Sequence, residues 1–325
     1  MNNTAKRSIL VTGAGGYIGT EVVRGLAEMR ARLGNIVAVD VRETPPDRRA
    51  EGIVYEQADV RDESLKDLML RHHIDTVVHL ASIVSPGRDE ALEYSVDVEG
   101  TRNVLDCCVA AGADHLVVTS SGAAYGYHAD NPAWLDEEAP LRGNDAFSYS
   151  RHKRLVEEML ARYRAEHPEL RQLVLRPGTV LGAHTDNDIT RLFHRGSVLG
   201  VTGSDTPFVF IWDQDLVAVI LEGITKEKSG IYNLAGDDAV TLPEIAEALG
   251  KPFKPKPAWL LKLGIGVAGA LGLTHNRPEQ VMFLQYRPVL SNRRLKEEFG
   301  YTPLKNSREV FEFYLSHHPG AKAGR

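Results

Sequence analysis

The sequence predicts an α/β fold, a doubly wound parallel sheet with a smaller lobe interleaved toward its C-terminal part. Three observations predict it. Short, Val-rich apolar runs alternate with helical patterns from the N-terminus to Pro177. A glycine-rich stretch, "VTGAGGYIG", ends the first such run and opens the first helix. The 325 residues, 43% of them hydrophobic, suffice for one large α/β domain with an elaborated lobe.

In chain order, "SILVTG" is a strand, followed by a helix to about Met29 and the strands "NIVAVD" and "IVYEQAD". A helix near Glu63 to His72, the strand "TVVHLA", a helix near Ala91 to Ala111 and the strand "HLVVTSS" continue the rhythm. A helix to about Glu166 and the strand "QLVLRP" complete it. These strands are short, apolar and Val-rich, as expected of strands buried on both faces. Beyond Pro177 the regularity fades through "GTVLGAHTDNDITRLFHRGSVLGVTGSDTP" and the Pro-rich "GKPFKPKPAW", segments expected to build the lobe over the open end of the sheet. "FVFIWDQDLVAVILEGI" and "GIYNLAG" look like returns to the main domain. The expected organisation is therefore a main domain over residues 1–176 with returns near 207–240, and a substrate-binding lobe from 177–206 and 241–325.

Composition narrows the partners. The net charge is -6, with both signs mixed and no long basic run, which argues against nucleic acid and for a small-molecule substrate. Cys107 and Cys108 sit in an apolar helical pattern and are expected to be buried thiols of a reducing compartment. "MNNTAKRSILVTG" enters a strand within ten residues, leaving no room for the apolar core of a signal peptide, so a cytoplasmic location is expected. The greasiest stretch, Ala258 to Thr274, is interrupted by Lys262 and four glycines and is too short to span about 30 Å of bilayer. It is expected to be a core or lobe helix, with a membrane-surface contact as the competing reading. His72, His73, His184 and His194 show no ligand spacing, and no metal is expected.

Chemistry enters at the glycine-rich turn. Gly13, Gly16 and Gly19 permit a tight turn, close approach of backbone N–H groups to a pyrophosphate, and helix-on-strand packing. Asp40 closes the second strand, where a carboxylate can hold an adenosine ribose diol and repel a 2′-phosphate. NAD is therefore favoured over NADP, although Arg42 lies two residues on.

The stretch "FSYSRHK" puts Tyr149 and Lys153 four apart, one helical turn, after the strand ending at Ser121. A phenol is a poor base at neutral pH, but an ammonium one turn away stabilises the phenolate, and a serine can hydrogen-bond the substrate oxygen. "YTPLK" repeats the spacing at Tyr301 and Lys305, but Pro303 argues against a continuous helical turn there, and a surface turn is expected. Ser120 is the alternative active hydroxyl if Ser121 only caps its loop.

"TGAGGYIG", "ADVRD", "HLAS", "VEGTRNVL", "TSSGAAYG", "YSRHK" and "LRPGTVLG" together resemble the extended short-chain dehydrogenase/reductase family, its NAD-dependent epimerase/dehydratase group. The resemblance covers nearly the whole chain. It implies a Rossmann fold and an enzyme in which Tyr149 is the acid/base, Lys153 holds the nicotinamide ribose and tunes Tyr149, and Ser121 orients the reacting oxygen. It also implies that Gly13, Gly16, Tyr17, Ile18 and Gly19 form the dinucleotide turn, and that Asp59 and Val60 flank adenine. Leu80 and Ala81 would line the pyrophosphate and ribose, and Pro177 and Val180 would lie against the nicotinamide. The helices near Ala91 to Ala111 and Tyr149 to Glu166 correspond to those that pair across a two-fold axis in related enzymes, implying a homodimer.

Two departures stand out. Asp97 replaces the asparagine usual before "VxGT", where the amide helps organise a proton-relay water. Thr206 and Pro207 stand where nucleotide-sugar members commonly place an arginine before the aromatic strand, here "TPFVFIWDQD". That gap, with the apolar stretch from Trp259 to Leu273, makes the chain similar to members acting on hydrophobic alcohols and ketones, the 3β-hydroxysteroid dehydrogenase-like and flavonol reductase-like branches. Arg287, Arg293 or Arg294 could still bind a phosphate, which keeps a nucleotide-sugar epimerase or dehydratase as the alternative. A dinucleotide-binding redox sensor without catalysis is the alternative of another class.

Overall fold

A computed structural model gives the structure of residues 6–84, 89–271 and 278–322. Its elements run β1 (Ile9–Thr12), α1 (Tyr17–Glu28), β2 (Ile36–Asp40), β3 (Val54–Gln57), α2 (Ser64–Arg71), β4 (Thr76–His79), α3 (Glu90–Tyr94), α4 (Gly100–Ala111), β5 (His115–Thr119), α5 (Ser148–Glu166) and β6 (Arg171–Pro177). They continue with β7 (Thr179–Leu181), α6 (Asp188–Phe193), β8 (Val198–Val201), β9 (Phe210–Trp212), α7 (Asp213–Thr225), β10 (Gly230–Leu234) and α8 (Leu242–Leu249). The last are β11 (Phe253–Lys256), α9 (Ala258–Ala270), α10 (Met282–Gln285) and α11 (Ser307–His317).

Seven strands form one sheet in the order β10-β6-β5-β4-β1-β2-β3. Pairing from β3 through to β6 is parallel, for instance Val11 beside Ala38 and Val78. The order of the strands reverses between β1 and β4, and in such sheets ligands bind beyond the carboxyl ends of the strands at that point. The sheet and its flanking helices confirm the expected fold class. One cluster of buried side chains, including Leu10, Val37, Leu65, Val77, Leu105 and Leu116, packs helices onto the strands. Truncating a fully buried leucine such as Leu105 in such a cluster costs about 2–5 kcal/mol. Cys107 and Cys108 belong to this cluster, and burial pushes their thiols up, that of Cys107 to about 11.

The chain divides into two compact units, and the division differs from the expected one. The first comprises residues 1–120, 155–175 and 216–232; the second comprises 121–154, 176–215 and 233–325. The excursion from Ser121 to Arg154 belongs to the second unit because its buried Tyr125 and Leu135 share a cluster with Val209, Ala235, Val289 and Leu290. The return to the first unit begins only at Leu216, since β9 pairs with β7 and not with the large sheet. Another cluster in the second unit gathers Leu181, Phe193, Phe210, Phe311 and Tyr314.

Two helical segments depart from the sequence pattern. The helix expected near Ala91 to Ala111 is α3 and α4 joined by a π-helical turn over Ser95–Glu99. The second is α9, which is no core helix: none of its residues is buried. The last three residues of the apolar stretch, Gly272 to Thr274, lie outside the described residues. Among the described residues, no helix is long and apolar enough to cross a membrane.

Candidate active site

The first unit carries a glycine cradle after β1. Gly13 has φ +69°, and a Cβ there would stand 2.6 Å from the Ala81 backbone nitrogen, so only glycine fits against β4's exit. Gly19 lies inside the first turn of α1, where a Cβ would run into the Gly13 carbonyl. Gly16 caps α1 with extended backbone and no side-chain cap, and Tyr17 and Ile18 follow half-buried in the opening turn. The helix N-terminus is thus left to accept an anion. Leu80 N–H donates to the Thr12 carbonyl at 3.1 Å, which fixes Leu80 and Ala81 beside the turn.

Asp40 ends β2 and faces the same turn. Its Oδ2 accepts the Gly15 N–H at 3.0 Å and its Oδ1 accepts the Arg42 N–H at 3.0 Å. Each oxygen keeps acceptor capacity for a hydroxyl, so the residues present fit the ribose of a dinucleotide. The Arg42 side chain is 77% exposed and lies 3.6 Å from Asp40 Oδ1. Asp59 is clamped by Arg61, whose Nε reaches Oδ1 at 2.9 Å and Nη2 reaches Oδ2 at 2.5 Å. That clamp holds the Asp59 carboxyl below its ordinary range. Val60 is buried, and its carbonyl accepts from Asn103 Nδ2 at 2.7 Å.

A buried relay in this unit has no local signature in the chain. Thr12 Oγ1 meets His79 Nδ1 at 2.8 Å, and His79 Nε2 meets Thr101 Oγ1 at 3.0 Å. Thr101 in turn donates to the Asp97 carbonyl at 2.5 Å. The π-helical turn brings Asp97 Oδ1 within 2.8 Å of the Ile83 N–H, so this carboxylate orders the strand exit after β4.

The second unit holds the tyrosine and its companions. Tyr149 and Lys153 stand in the first turns of α5, and Lys153 Nζ lies 5.6 Å from the Tyr149 ring centroid. Lys153 is 6% exposed, so its charge acts in a poorly screened setting, while Tyr149 is half-buried. Ser121 Oγ accepts the Ala123 N–H at 3.1 Å, capping the short 3-10 turn over Gly122–Tyr125 and keeping its own O–H to donate. The competing Ser120 is 3% exposed, and its hydroxyl has no hydrogen-bond partner among the described residues. Pro177 ends β6 buried, and Val180 sits half-buried in β7 opposite Ile211.

Tyr301 and Lys305 are not a second site. No helix joins them; Tyr301 O–H donates to the buried Asp215 carboxylate at 2.7 Å, and Lys305 Nζ lies over the Trp212 ring at 4.8 Å. The pair is structural and not merely a surface turn.

Of the three candidate arginines, Arg293 pairs with Glu297 and Arg294 with Glu298 and Glu138. Arg287 has no carboxylate partner among the described residues. It is 8% exposed, its Nη1 donates to the Thr206 carbonyl at 3.0 Å, and its guanidinium stacks 3.8 Å from the Phe208 ring centroid. Nη2 has no partner among the described residues. Burial pushes this guanidinium down to about 9, still charged at neutral pH. Arg287 lines a pocket of about 310 Å³ with Thr206, Pro207, His128 and Trp134. Arg287 thus stands beside Thr206, which lies 81 positions before it in the chain. Beside it, Tyr127, Phe147 and Phe283 form an aromatic wall that reaches the Tyr149 ring, with Phe147 at 6.0 Å. Burial and the Tyr149 phenol push the Tyr127 hydroxyl upward, while Arg287 opposes them. Among the described residues, no three His, Cys, Asp or Glu side chains are grouped to hold a metal.

Residues 9–235 match the NAD dependent epimerase/dehydratase family. The chain is 31% identical over 276 residues to the N-acetyl-α-D-glucosaminyl-diphospho-ditrans,octacis-undecaprenol 4-epimerase of Escherichia coli O157:H7, covering 81% of this chain and 77% of that protein. It is 32% identical over 191 residues to the UDP-glucose 4-epimerase of Erwinia amylovora, a match spanning only 54% of each. The crystal structure of the Thermus thermophilus UDP-glucose 4-epimerase in complex with NAD superposes with a TM-score of 0.72 at 23% identity, over 97% of this chain and 99% of that one.

Proposed function

The chain belongs to the NAD-dependent epimerase/dehydratase family, and on that premise we propose that it epimerises or dehydrates a sugar carrying a diphosphate. The single observation that carries the substrate class is Arg287: a buried guanidinium with an unpartnered Nη2, on a residue that lines a pocket, suits a phosphate oxygen. The names of the relatives support the same chemistry, since UDP-glucose and a diphospho-linked N-acetylglucosamine both bear a diphosphate.

NAD, when bound, supplies a hydride acceptor and donor. The cradle of Gly13, Gly16 and Gly19 and the carboxylate of Asp40 would hold it, with Asp59, Val60, Leu80 and Ala81 around it. Tyr149 moves the proton at the reacting oxygen, with the buried Lys153 one helical turn away. Ser121, more accessible than Ser120 and with its donor uncommitted, orients that oxygen. A cytoplasmic homodimer belongs to the same proposal; light scattering at micromolar concentration is expected to give twice the chain mass.

Hydrophobic secondary alcohols or ketones form a second reading, favoured by the aromatic wall of Tyr127, Phe147 and Phe283. One assay separates the two. Nucleotide sugars and steroid-like or aliphatic alcohols are incubated with NAD, following NADH absorbance and the product by NMR. A changed sugar without net NADH supports the first reading; NADH accumulating with an alcohol supports the second.

Asp40→Ala is expected to narrow the preference for NAD(H) over NADP(H), because it removes both the diol acceptor and the charge that repels a 2′-phosphate. Titration of both cofactors checks this, and a wild-type preference for NADP(H) would sink the Asp40 argument.

A further inference from the structure

The α9 helix turns its apolar side outward. At about 100° per residue, Trp259, Leu260, Leu263, Val267, Ala270 and Leu271 fall within about 120° of arc. Trp259 is 66% exposed, Leu263 56%, Val267 52% and Leu271 68%. The opposite side, with Ala258, Leu261, Ile265 and Ala268, is the less exposed one, and the helix packs on the segment Pro278–Val281. A surface helix normally shows the reverse arrangement, so this stripe calls for an occupant.

Charge names that occupant. In a chain of net charge -6, no acidic residue lies between Glu247 and Glu279, while Lys254 and Lys256 on β11 and Lys262 on α9 are all exposed. An exposed apolar stripe, a tryptophan at the helix start and lysines around it match a bilayer surface, where indole sits at headgroup level and lysines meet lipid phosphate. At 13 residues the helix is about 20 Å long, too short to span and suited to lying in the interface. We propose that α9 docks this protein on a membrane surface containing anionic lipids, with Trp259, Leu263, Val267 and Leu271 entering the interface and Lys254, Lys256 and Lys262 facing phosphates. The proposal is independent of the substrate.

Vesicle flotation of the full chain tests it, using phosphatidylcholine alone and with about 30% phosphatidylglycerol. The wild type is expected to float with the anionic vesicles. Leu263→Asp with Val267→Asp should lower the bound fraction about 10-fold or more, and Lys254→Glu, Lys256→Glu and Lys262→Glu together should remove the preference for phosphatidylglycerol. NAD affinity and thermal midpoint are read on every variant, and both should stay at wild-type values because none of these side chains is buried. The proposal is overturned if the wild type floats with neither vesicle, if the aspartate variant floats equally well, or if binding ignores phosphatidylglycerol. It is also overturned if light scattering shows self-association that the aspartates abolish without any vesicle binding, since a second copy then covers the stripe.

Discussion

Replacing Tyr149 by phenylalanine is expected to lower turnover about 10²-fold or more, the usual scale for a positioned acid/base, while NAD affinity and folding stay near wild type. The substitution removes one hydroxyl from a half-buried ring and leaves the contact with Phe147 intact. Lys153→Met should do further damage: it deletes a nearly buried ammonium 5.6 Å from the ring and the expected grip on the ribose. Steady-state kinetics with a cofactor titration read both effects. Tyr301→Phe is the matched control, and the structure sharpens what it should show. Losing the Tyr301 hydroxyl takes a donor from the fully buried Asp215, so a stability cost of about 1–3 kcal/mol is expected with unchanged turnover per folded enzyme. Full turnover in Tyr149→Phe would leave the family resemblance as one of fold and cofactor only.

Arg287→Met should raise KM for a diphosphate-bearing sugar roughly 10- to 100-fold, the worth of a charge-assisted hydrogen bond of about 1.5–3 kcal/mol. Its effect on stability should run the other way or vanish. Wild-type Arg287 is a buried charge without a carboxylate among the described residues, and methionine keeps an apolar contact with Phe208 without the desolvation cost. A residue that merely held the fold would instead lose melting temperature and leave KM alone. That opposite pattern, lower thermal midpoint and unchanged KM, would refute the anion-site reading. Arg287→Lys should recover little, since an ammonium neither stacks on Phe208 nor bonds Thr206 and a phosphate as a fork does.

The glycine turn and the aspartate facing it were legible in the sequence because their contacts are local. Gly13 to Gly19 span one turn between a strand and a helix, and Asp40 closes the neighbouring strand, so pattern and spacing suffice to bring them together in a parallel sheet. The Tyr149 and Lys153 pair was legible for the same reason: residues four apart on a helix share a face. Pro303 correctly set Tyr301 and Lys305 apart, but the bond from Tyr301 to Asp215 joins positions 86 apart and has no local signature.

The fold class, the glycine turn and the tyrosine helix were thus determined by the sequence alone, through short apolar runs alternating with stretches of period about 3.6 and contacts within single turns. Tertiary structure alone decided the rest. It left Arg287 buried without a carboxylate among the described residues and paired Arg293 and Arg294, because only long-range packing decides which of three arginines finds a carboxylate. It assigned Ser121 to Arg154 to the second unit, through a cluster whose members come from five separate stretches of chain. It also turned α9 outward: an apolar run is equally suited to a core or to an interface, and only the placement of every other element shows which face is left uncovered.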